Sequence, residues 1–220
     1  MFEKISFLVP TRGRVEQLKR LLYSYGQTTR CAPEASELVF RVDDDDTLTV
    51  QFLERLGHRM LIGPRLKGYE SLPHFFNELW QEATGDVFML GNDDVEFVTE
   101  GWAPKILKVA NQFPDGVFDI GVKTHNEDHY PLSTVSRRVV ERLGFLFAPN
   151  IFWGDIFLRD VMGRFSRNVK LPEVEIQHLW AGFAPDQIFL EGEQARRSNW
   201  MTHHVSAVDA AEAKLRGLIT

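Results

Sequence analysis

The sequence has little cysteine and no long hydrophobic run. Cys31 is the only cysteine among the 220 residues, which excludes both a disulfide framework and a cysteine metal cluster. No apolar stretch reaches the roughly 20 residues that a membrane-spanning helix needs. The opening residues, MFEKISFLVP, lack the basic start and apolar run of a secretory signal peptide. We therefore expect a cytoplasmic protein without stable membrane insertion.

Positive charge is also in deficit, and two familiar phosphate-binding motifs are missing. The formal net charge is -6, which argues against broad binding to nucleic acid or anionic membranes but allows a local basic patch. No G-x-G-x-x-G follows the first predicted strand, and G-x-x-x-x-G-K-[ST] does not occur. A Rossmann dehydrogenase and a P-loop NTPase are therefore not expected.

The apolar residues predict an α/β fold in which strands of a mostly parallel sheet alternate with helices. With 44% hydrophobic residues and 17 phenylalanines, the composition suits one domain with an aromatic-rich core, which we place at residues 1–220. The alternation is clearest in a half of about 1–122, and a smaller, less regular half follows at about 123–220. Strands are predicted at 5–9, 38–42, 60–62, 87–90, 117–122 and 174–179, and helices at 15–25, 47–56, 71–80, 102–113, 135–143, 155–165 and 207–218.

Polar and charged side chains follow each of the first four predicted strands. Ligands of open α/β sheets bind outside the carboxyl ends of the strands. Arginines bind phosphate oxygens through paired hydrogen bonds, and carboxylates beside a phosphate need a cation such as Mg²⁺ or Mn²⁺. Turns collect Asp, Gly and Arg in any protein, but this explains four such loops in succession poorly. The four loops contain Pro10 to Arg14, Asp43 to Asp46, Gly63 to Tyr69 and Gly91 to Asp94.

These segments, in this order, resemble glycosyltransferase family two. Residues 6–24 (SFLVPTRGRVEQLKRLLYS) are similar to the family's opening, whose first strand ends in Pro-Thr-Arg or a close variant. Asp43 and Asp44 match the position where the family contacts the nucleotide base, and residues 87–97 (VFMLGNDDVEF) resemble its DxD segment. Residues 152–165 and 174–189 resemble the acceptor-side half of short bacterial and phage members. The likeness covers roughly residues 5–189.

The resemblance implies a GT-A fold and an inverting, metal-dependent transfer of a sugar from a nucleotide sugar, with UDP-sugars as the expected donors. Asp155 is then the expected catalytic base, with helix capping as its alternative role. Asp94 and His178 are the expected ligands of Mn²⁺ or Mg²⁺. The first acid of the DxD pattern is replaced by Asn92, so a shift of one residue would make Asp93 the ligand in place of Asp94.

The donor site is expected to draw on all four loops and on one helix. Arg12 is expected at the diphosphate or the base, whereas Arg14 suits a phosphate or a surface charge equally. Asp44 to Asp46 are interpreted as solvated helix-capping acids, and His203 and His204 as surface or tail residues. Asn77 lies off the apolar stripe of its helix, which fits a donor contact or a plain surface amide. The expected donor-binding residues are Pro10, Thr11, Arg12, Arg14, Asp43, Arg65, Lys67, Gly68, Asn77, Asn92 and Asp93.

Two other functions remain open from the sequence. Residues 43–48 (DDDDTL) fit the D-x-D-x-T pattern of haloacid-dehalogenase-like phosphatases, with Asp43 as nucleophile and Asp45 as acid. That pattern usually follows the first strand, whereas here a βα unit precedes it. The chain could also bind a sugar nucleotide without turning it over. The acceptor hydroxyl is not identified by the sequence. A polysaccharide, a protein, a small molecule and a modified DNA base are all open as its source, although the net charge disfavours the DNA base.

Overall fold

The structure is a computed structural model that describes residues 1–66, 71–124, 131–151, 153–179 and 203–219. The strands of this part of the chain are β1 Ile5–Thr11, β2 Ser36–Asp43, β3 Met60–Gly63, β4 Val87–Leu90, β5 Val95–Phe97, β6 Asp119–Lys123, β7 Ser133–Ser136 and β8 Asn168–His178. The helices are α1 Val15–Thr28, α2 Thr47–Arg55, α3 Ser71–Glu82, α4 Trp102–Ala110, α5 Arg137–Leu143 and α6 Gly154–Gly163, followed by α7 at 203–215.

Within the described residues, eight strands form one sheet in the order β3-β2-β1-β4-β7-β6-β8-β5. The first four strands in this order are parallel, with Ile5 opposite Ser36 on one side and Val87 on the other. β7 runs antiparallel to β4 and β6, and β5 antiparallel to β8. The carboxyl ends of β1 to β4 therefore share one edge of the sheet.

Helices cover both faces of this sheet, because the central strands are apolar on both sides. Phe7 of β1 and Met89 of β4 pack with Trp102 of α4 on one face, which also receives α1 and α2. Leu8 and Phe88, the adjacent residues of the same strands, pack on the other face against α3, α5, α6 and α7. The predicted α/β architecture and its aromatic-rich core are thus confirmed.

The largest departure from the predicted elements lies at 133–143. The helical spacing from Val135 predicted one helix up to Leu143, but residues 133–136 form β7 and the helix begins only at Arg137. Ser136 caps that helix through its side chain, which accepts a hydrogen bond from the Val139 amide at 3.2 Å. The apolar side chain of Val135 is buried because its strand lies between β4 and β6. The prediction was wrong here because buried strands and buried helices share the same apolar residues.

Gly91 sets the path of the chain as it leaves β4. A Cβ at this position would lie 2.5 Å from the Phe7 ring and 2.6 Å from the Leu8 carbonyl oxygen. Its own amide donates to that carbonyl at 2.9 Å. Only glycine permits this approach to β1, and Asn92, Asp93 and Asp94 follow directly.

None of the helices within the described ranges combines the length and the apolar character of a membrane-crossing segment.

Candidate functional site

The residues that follow β1, β2 and β4 meet at the carboxyl edge of the sheet, as the sequence predicted. Arg12 lies between Asp43, the last residue of β2, and Asp45 in the loop that follows. Its Nη1 atom lies 3.0 Å from Asp43 Oδ2, and its Nη2 atom lies 3.0 Å from Asp45 Oδ2. Arg65, after β3, reaches the same Asp45 carboxylate at 3.9 Å. Ion pairs therefore connect the segments at the ends of β1, β2 and β3 at this edge.

The pKa values of this group follow from burial and pairing. Asp43 is 4% exposed, and burial raises its pKa although Arg12 and Arg41 act against the rise. The hydrogen bond from Arg12 lowers the pKa of the exposed Asp45, and the same contact raises the pKa of Arg12. Asp46 accepts the Gly13 amide at 2.7 Å and caps α2, which confirms the predicted capping role for that acid.

Arg41 in β2 is a fully buried arginine that the sequence pattern did not single out. Its Nε donates to Glu78 at 2.7 Å, and its Nη1 donates to the Val42 carbonyl at 2.6 Å and lies 3.4 Å from Asp43 Oδ1. Its Nη2 donates to the Pro64 carbonyl at 2.9 Å. Since Arg12 holds the other oxygen of Asp43, this carboxylate lies between two guanidinium groups.

Gly63 makes room for this arginine. A Cβ there would lie 2.8 Å from the Arg41 Nη2 atom, so a larger residue would displace the guanidinium group. The Arg41 guanidinium also stacks 4.4 Å from the centre of the Phe75 ring. The sequence signal was a charged residue inside an otherwise apolar strand, which in a buried sheet requires internal partners.

Asp93 lies under the loop that follows β1. It is 4% exposed, and its two oxygens accept hydrogen bonds from Thr11 Oγ1 at 2.8 Å and Arg14 Nη1 at 2.9 Å. Burial raises its pKa, opposed by Arg14 and reinforced by the neighbouring charge of Asp94. Arg14 is therefore held inside the site and is not a plain surface charge.

Asp94 meets His178 at the end of β8. Val95 and His178 are paired residues of the antiparallel strands β5 and β8, and the Leu179 amide donates to the Asp94 carbonyl at 2.8 Å. The His178 Nε2 atom lies 3.1 Å from Asp94 Oδ1 and 3.3 Å from Asn92 Nδ2. Burial pushes the pKa of Asp94 upward, but the hydrogen bond and charge of His178 outweigh it and the pKa is lowered.

A carboxylate oxygen and an imidazole nitrogen that converge in this way fit a divalent cation such as Mn²⁺, which accepts both kinds of ligand. Within the ranges that the structure describes, no three His, Cys, Asp or Glu side chains converge on one point. Asp94 and His178 would therefore be only part of such an ion's coordination shell, and the bound substrate or water would have to supply the rest.

Asp155 is the second residue of α6, and Trp153 occupies the capping position. The first turn of this helix contacts the start of β7, where Ser133 Oγ lies 3.4 Å from the Asp155 carbonyl oxygen. Thr134 of β7 is paired with Met89 of β4, so Ser133 lies at the carboxyl end of β4. The helix start that carries Asp155 is thus placed at the edge from which Asn92 to Asp94 emerge.

Asn77 is a predicted donor-binding residue that the structure places away from this group. Asn77 accepts the amides of Leu146 and Phe147 at 2.8 and 3.1 Å and donates to the Phe147 carbonyl at 2.8 Å. It therefore joins α3 to the chain that precedes α6. Lys67 and Gly68 lie outside the described residues, whereas Pro10 lies in β1 beside Arg41.

His204 corrects another expectation. Instead of lying on the surface, it is 5% exposed within α7. Its Nε2 atom lies 2.8 Å from Asp160 Oδ2, and its ring meets the Phe157 ring edge to face. A single sequence gave no sign of this packing because the two helices are far apart in the chain.

Comparison of the sequence with protein-family models and with curated proteins gives no match. Comparison of the structure does find solved structures with a similar fold. One is a Pyrobaculum calidifontis mannosyltransferase in complex with GDP-Man and Mn²⁺, with a TM-score of 0.65 and 16% identity over 99% of this chain and 76% of that one. The chain has the GT-A-like fold of this glycosyltransferase.

Staphylococcus aureus TarS shares the same fold. Residues 1–349 of TarS in complex with UDP-GlcNAc give a TM-score of 0.60 and 13% identity over 98% of this chain and 73% of that one. Another TarS structure gives a TM-score of 0.61 and 12% identity, and there this chain spans only 43% of the neighbour. Identities this low establish the architecture alone.

The contacts of Asn77 generate a prediction that separates folding from binding. Asn77→Ala removes three hydrogen bonds to backbone groups and should lower the free energy of unfolding by about 1–3 kcal/mol. Urea denaturation measures this loss, and calorimetric titration with UDP should show unchanged affinity. Weaker UDP binding with an unchanged free energy of unfolding would instead indicate that Asn77 contacts the donor.

Proposed function

We propose that the protein transfers a sugar from a nucleotide-sugar donor to an acceptor hydroxyl. The observation that carries the proposal is the meeting of Asp94 with His178 beside the Arg14–Asp93 pair, at the carboxyl edge of a GT-A-like sheet. Cations for phosphate and ligands for a metal ion thus lie together at the edge where open α/β sheets bind ligands.

Arginines at this edge would bind the donor diphosphate. Arg12 and Arg14 are both held by aspartates, and Arg65 is 45% exposed in its side chain. A diphosphate offers each guanidinium group a partner of higher charge than a carboxylate, and the five N–H donors of an arginine allow it to bind phosphate while its aspartate stays in place. We assign Asp43 to the nucleotide base, Asn92 to the ribose, and Pro10, Thr11, Lys67 and Gly68 to the donor-binding loops.

Asp94 and His178 would hold the divalent cation, Mn²⁺ or Mg²⁺. Such an ion would neutralise the charge that develops on the departing nucleoside diphosphate. Asp93 is less suited as a ligand because Thr11 and Arg14 already occupy its two oxygens. This contact pattern supports Asp94 as the metal carboxylate, with Asp93 as the acid that orients Arg14.

Asp155 is assigned as the general base. It would accept the proton of the acceptor hydroxyl as that oxygen attacks the anomeric carbon. One in-line displacement then inverts the anomeric configuration. Support comes from the position of α6, whose first turn contacts β7 at the carboxyl end of β4.

We propose UDP-sugars as the donors and the cytoplasm as the compartment. The TarS neighbour binds UDP-GlcNAc, whereas the mannosyltransferase neighbour binds GDP-Man, so both nucleotides belong in any test. The acceptor hydroxyl belongs to a polysaccharide, a protein or a small molecule, with a modified DNA base disfavoured by the net charge of -6.

The phosphatase alternative fits the geometry less well. Its nucleophile would be Asp43, but Arg41 and Arg12 hold the two oxygens of this carboxylate. Asp45, the acid of that mechanism, is paired with Arg12 and has a lowered pKa because of that hydrogen bond. A proton donor needs the opposite shift. Binding without turnover remains the rival function, and the release of UDP from a UDP-sugar by the wild-type protein tests it.

The metal assignment predicts different effects for two aspartates of the same edge. Asp94→Asn should remove the enhancement of UDP binding by Mn²⁺. Affinity for Mn²⁺ should fall by more than about tenfold, because even the loss of a group that only hydrogen-bonds a metal ligand costs about that much. Asp44→Asn is the matched control because it makes the same chemical change at an exposed residue and should leave the enhancement intact. Calorimetric titration with and without Mn²⁺ measures both. Loss in Asp93→Asn alone would move the ligand to that residue.

The base assignment predicts a separation of turnover from binding. Asp155→Asn keeps the size of the side chain but removes its basicity, so the turnover rate should fall by about two to four orders of magnitude. UDP affinity and melting temperature should hardly change. The release of UDP from a UDP-sugar, by transfer or by slow hydrolysis, is the readout. Near-normal turnover would remove Asp155 from catalysis, and wild-type protein that binds UDP-sugars without releasing UDP would be a binding protein.

A further inference from the structure

Arg41 connects three parts of the fold behind the proposed donor site. Its Nε donates to Glu78 of α3 at 2.7 Å, and its Nη2 donates to the Pro64 carbonyl, after β3, at 2.9 Å. Its Nη1 donates to the Val42 carbonyl at 2.6 Å and lies 3.4 Å from Asp43 Oδ1. One side chain therefore links α3 to the ends of β2 and β3.

Fold stability is a weak reason for an arginine at this position. Arg41 is 1% exposed, and Val39, on the same face of β2, is a fully buried apolar residue. Replacing a buried ion pair by apolar residues of similar volume often leaves a protein equally or more stable. An arginine, in contrast, presents five N–H donors in a rigid plane. What Arg41 adds is therefore a fixed orientation for its partners.

Asp43 is held from two sides by arginines of different exposure. Its Oδ2 atom lies 3.0 Å from Arg12 Nη1, and the Arg12 side chain is 27% exposed and also binds Asp45. Its Oδ1 atom faces Arg41, whose side chain is 1% exposed. Under the proposed function Arg12 also meets the diphosphate, so its position depends on the ligand. Arg41 is too buried to meet a ligand and is therefore the fixed support of Asp43.

Arg41 is itself held in place by α3 and by the end of β3. Glu78 accepts its Nε, and the guanidinium group stacks 4.4 Å from the centre of the Phe75 ring. Gly63 leaves the space that Nη2 occupies, because a Cβ there would lie 2.8 Å from that atom. Supporting residues locked by packing and hydrogen bonds keep the groups of a binding site in productive geometry. The orientation of Asp43 is thus set before a donor binds.

We propose that Arg41 is a positioning residue that orients Asp43 for the nucleotide base and so contributes to recognition of the nucleoside. This role rests on the proposed function, because Asp43 is the proposed contact of the base. Arg41 does not touch the donor. A carboxylate accepts hydrogen bonds, and its orientation decides whether it meets an N–H group of the base. Arg41 should therefore affect binding of a nucleoside diphosphate much more than binding of pyrophosphate, which has no base.

Arg41→Lys tests this difference. Lysine keeps the charge but lacks the planar fork, so it cannot hold Asp43, Glu78 and Pro64 together. Affinity for UDP or GDP, whichever the wild-type protein binds more tightly, should fall about twofold to tenfold, the equivalent of one net hydrogen bond, whereas affinity for pyrophosphate should change by less than about twofold. Calorimetric titration with Mn²⁺ present measures both. An equal loss for pyrophosphate would overturn the base-orienting role.

A double-mutant cycle tests whether Arg41 acts through Asp43. If it does, the effects of Arg41→Lys and Asp43→Asn on nucleotide affinity are not additive. Arg41→Lys should then cause no further loss in a protein that already carries Asp43→Asn. Additive losses would show that Arg41 acts by another route and would overturn the proposal.

Gly63→Ala displaces the Arg41 guanidinium without changing any charge, and it provides a second test if Arg41→Lys does not fold. It should reproduce the loss of nucleotide affinity. Gly26→Ala is its matched control, because the added Cβ meets nothing within 4 Å there, and it should keep the wild-type affinity.

Arg137→Lys is the matched control for Arg41→Lys. Arg137 stacks 4.6 Å from the centre of the Phe88 ring and donates to the Ala83 and Gly85 carbonyls, but it lies at the amino end of β4. This variant should lower the melting temperature and leave nucleotide affinity unchanged.

The wild-type protein separates the two levels of the account. If it binds neither UDP nor GDP, the proposed function fails and the role of Arg41 fails with it. If it binds one of them and both Arg41→Lys and Gly63→Ala keep the wild-type affinity, only the positioning role is overturned.

Discussion

The site depends on the pairing of buried carboxylates with arginines at the carboxyl edge of the sheet. Asp43 and Asp93 are each 4% exposed, and an unpaired charge at such depth costs several kcal/mol. Arg41 and Arg12 offset the first, and Arg14 offsets the second. The Arg12–Asp43 and Arg14–Asp93 pairs join separate segments, so the charge balance also fixes the relative positions of the segments at the ends of β1, β2 and β4. Because an arginine has five N–H donors, it can keep its aspartate and still bind a diphosphate under the proposed function.

The same constraint connects stability with the proposed chemistry. Arg12 and Arg14 hold buried acids in the structure, and under the proposed function they would also meet the donor diphosphate. Asp119 lies deeper, where burial raises its pKa to about 7. Burial and the number of available partners therefore decide which acids of this region stay charged.

Sequence predicted much of this arrangement because its strongest signals are local. The alternation of β1, α1, β2 and α2, and the polar residues after each strand, follow from periodicity and from the rule that ligands bind at the carboxyl edge. The meeting of Asp94 with His178 required the resemblance, since the pairing of β5 with β8 joins distant segments. Arg41 was not predicted because its partners Glu78 and Pro64 are distant from it in the chain. Residues 135 and 136 were assigned to a helix but belong to β7, because burial, which no single-sequence pattern reveals, made them part of a strand.

The most direct test of the account is the release of nucleoside diphosphate from a panel of UDP-sugars and GDP-sugars, measured with Mn²⁺ present and after chelation, with an aryl phosphate as a parallel substrate. If the protein is a metal-dependent glycosyltransferase, a UDP-sugar should release UDP only when Mn²⁺ is present, and the aryl phosphate should stay intact. Rapid hydrolysis of the aryl phosphate together with no release from any nucleotide sugar would contradict it.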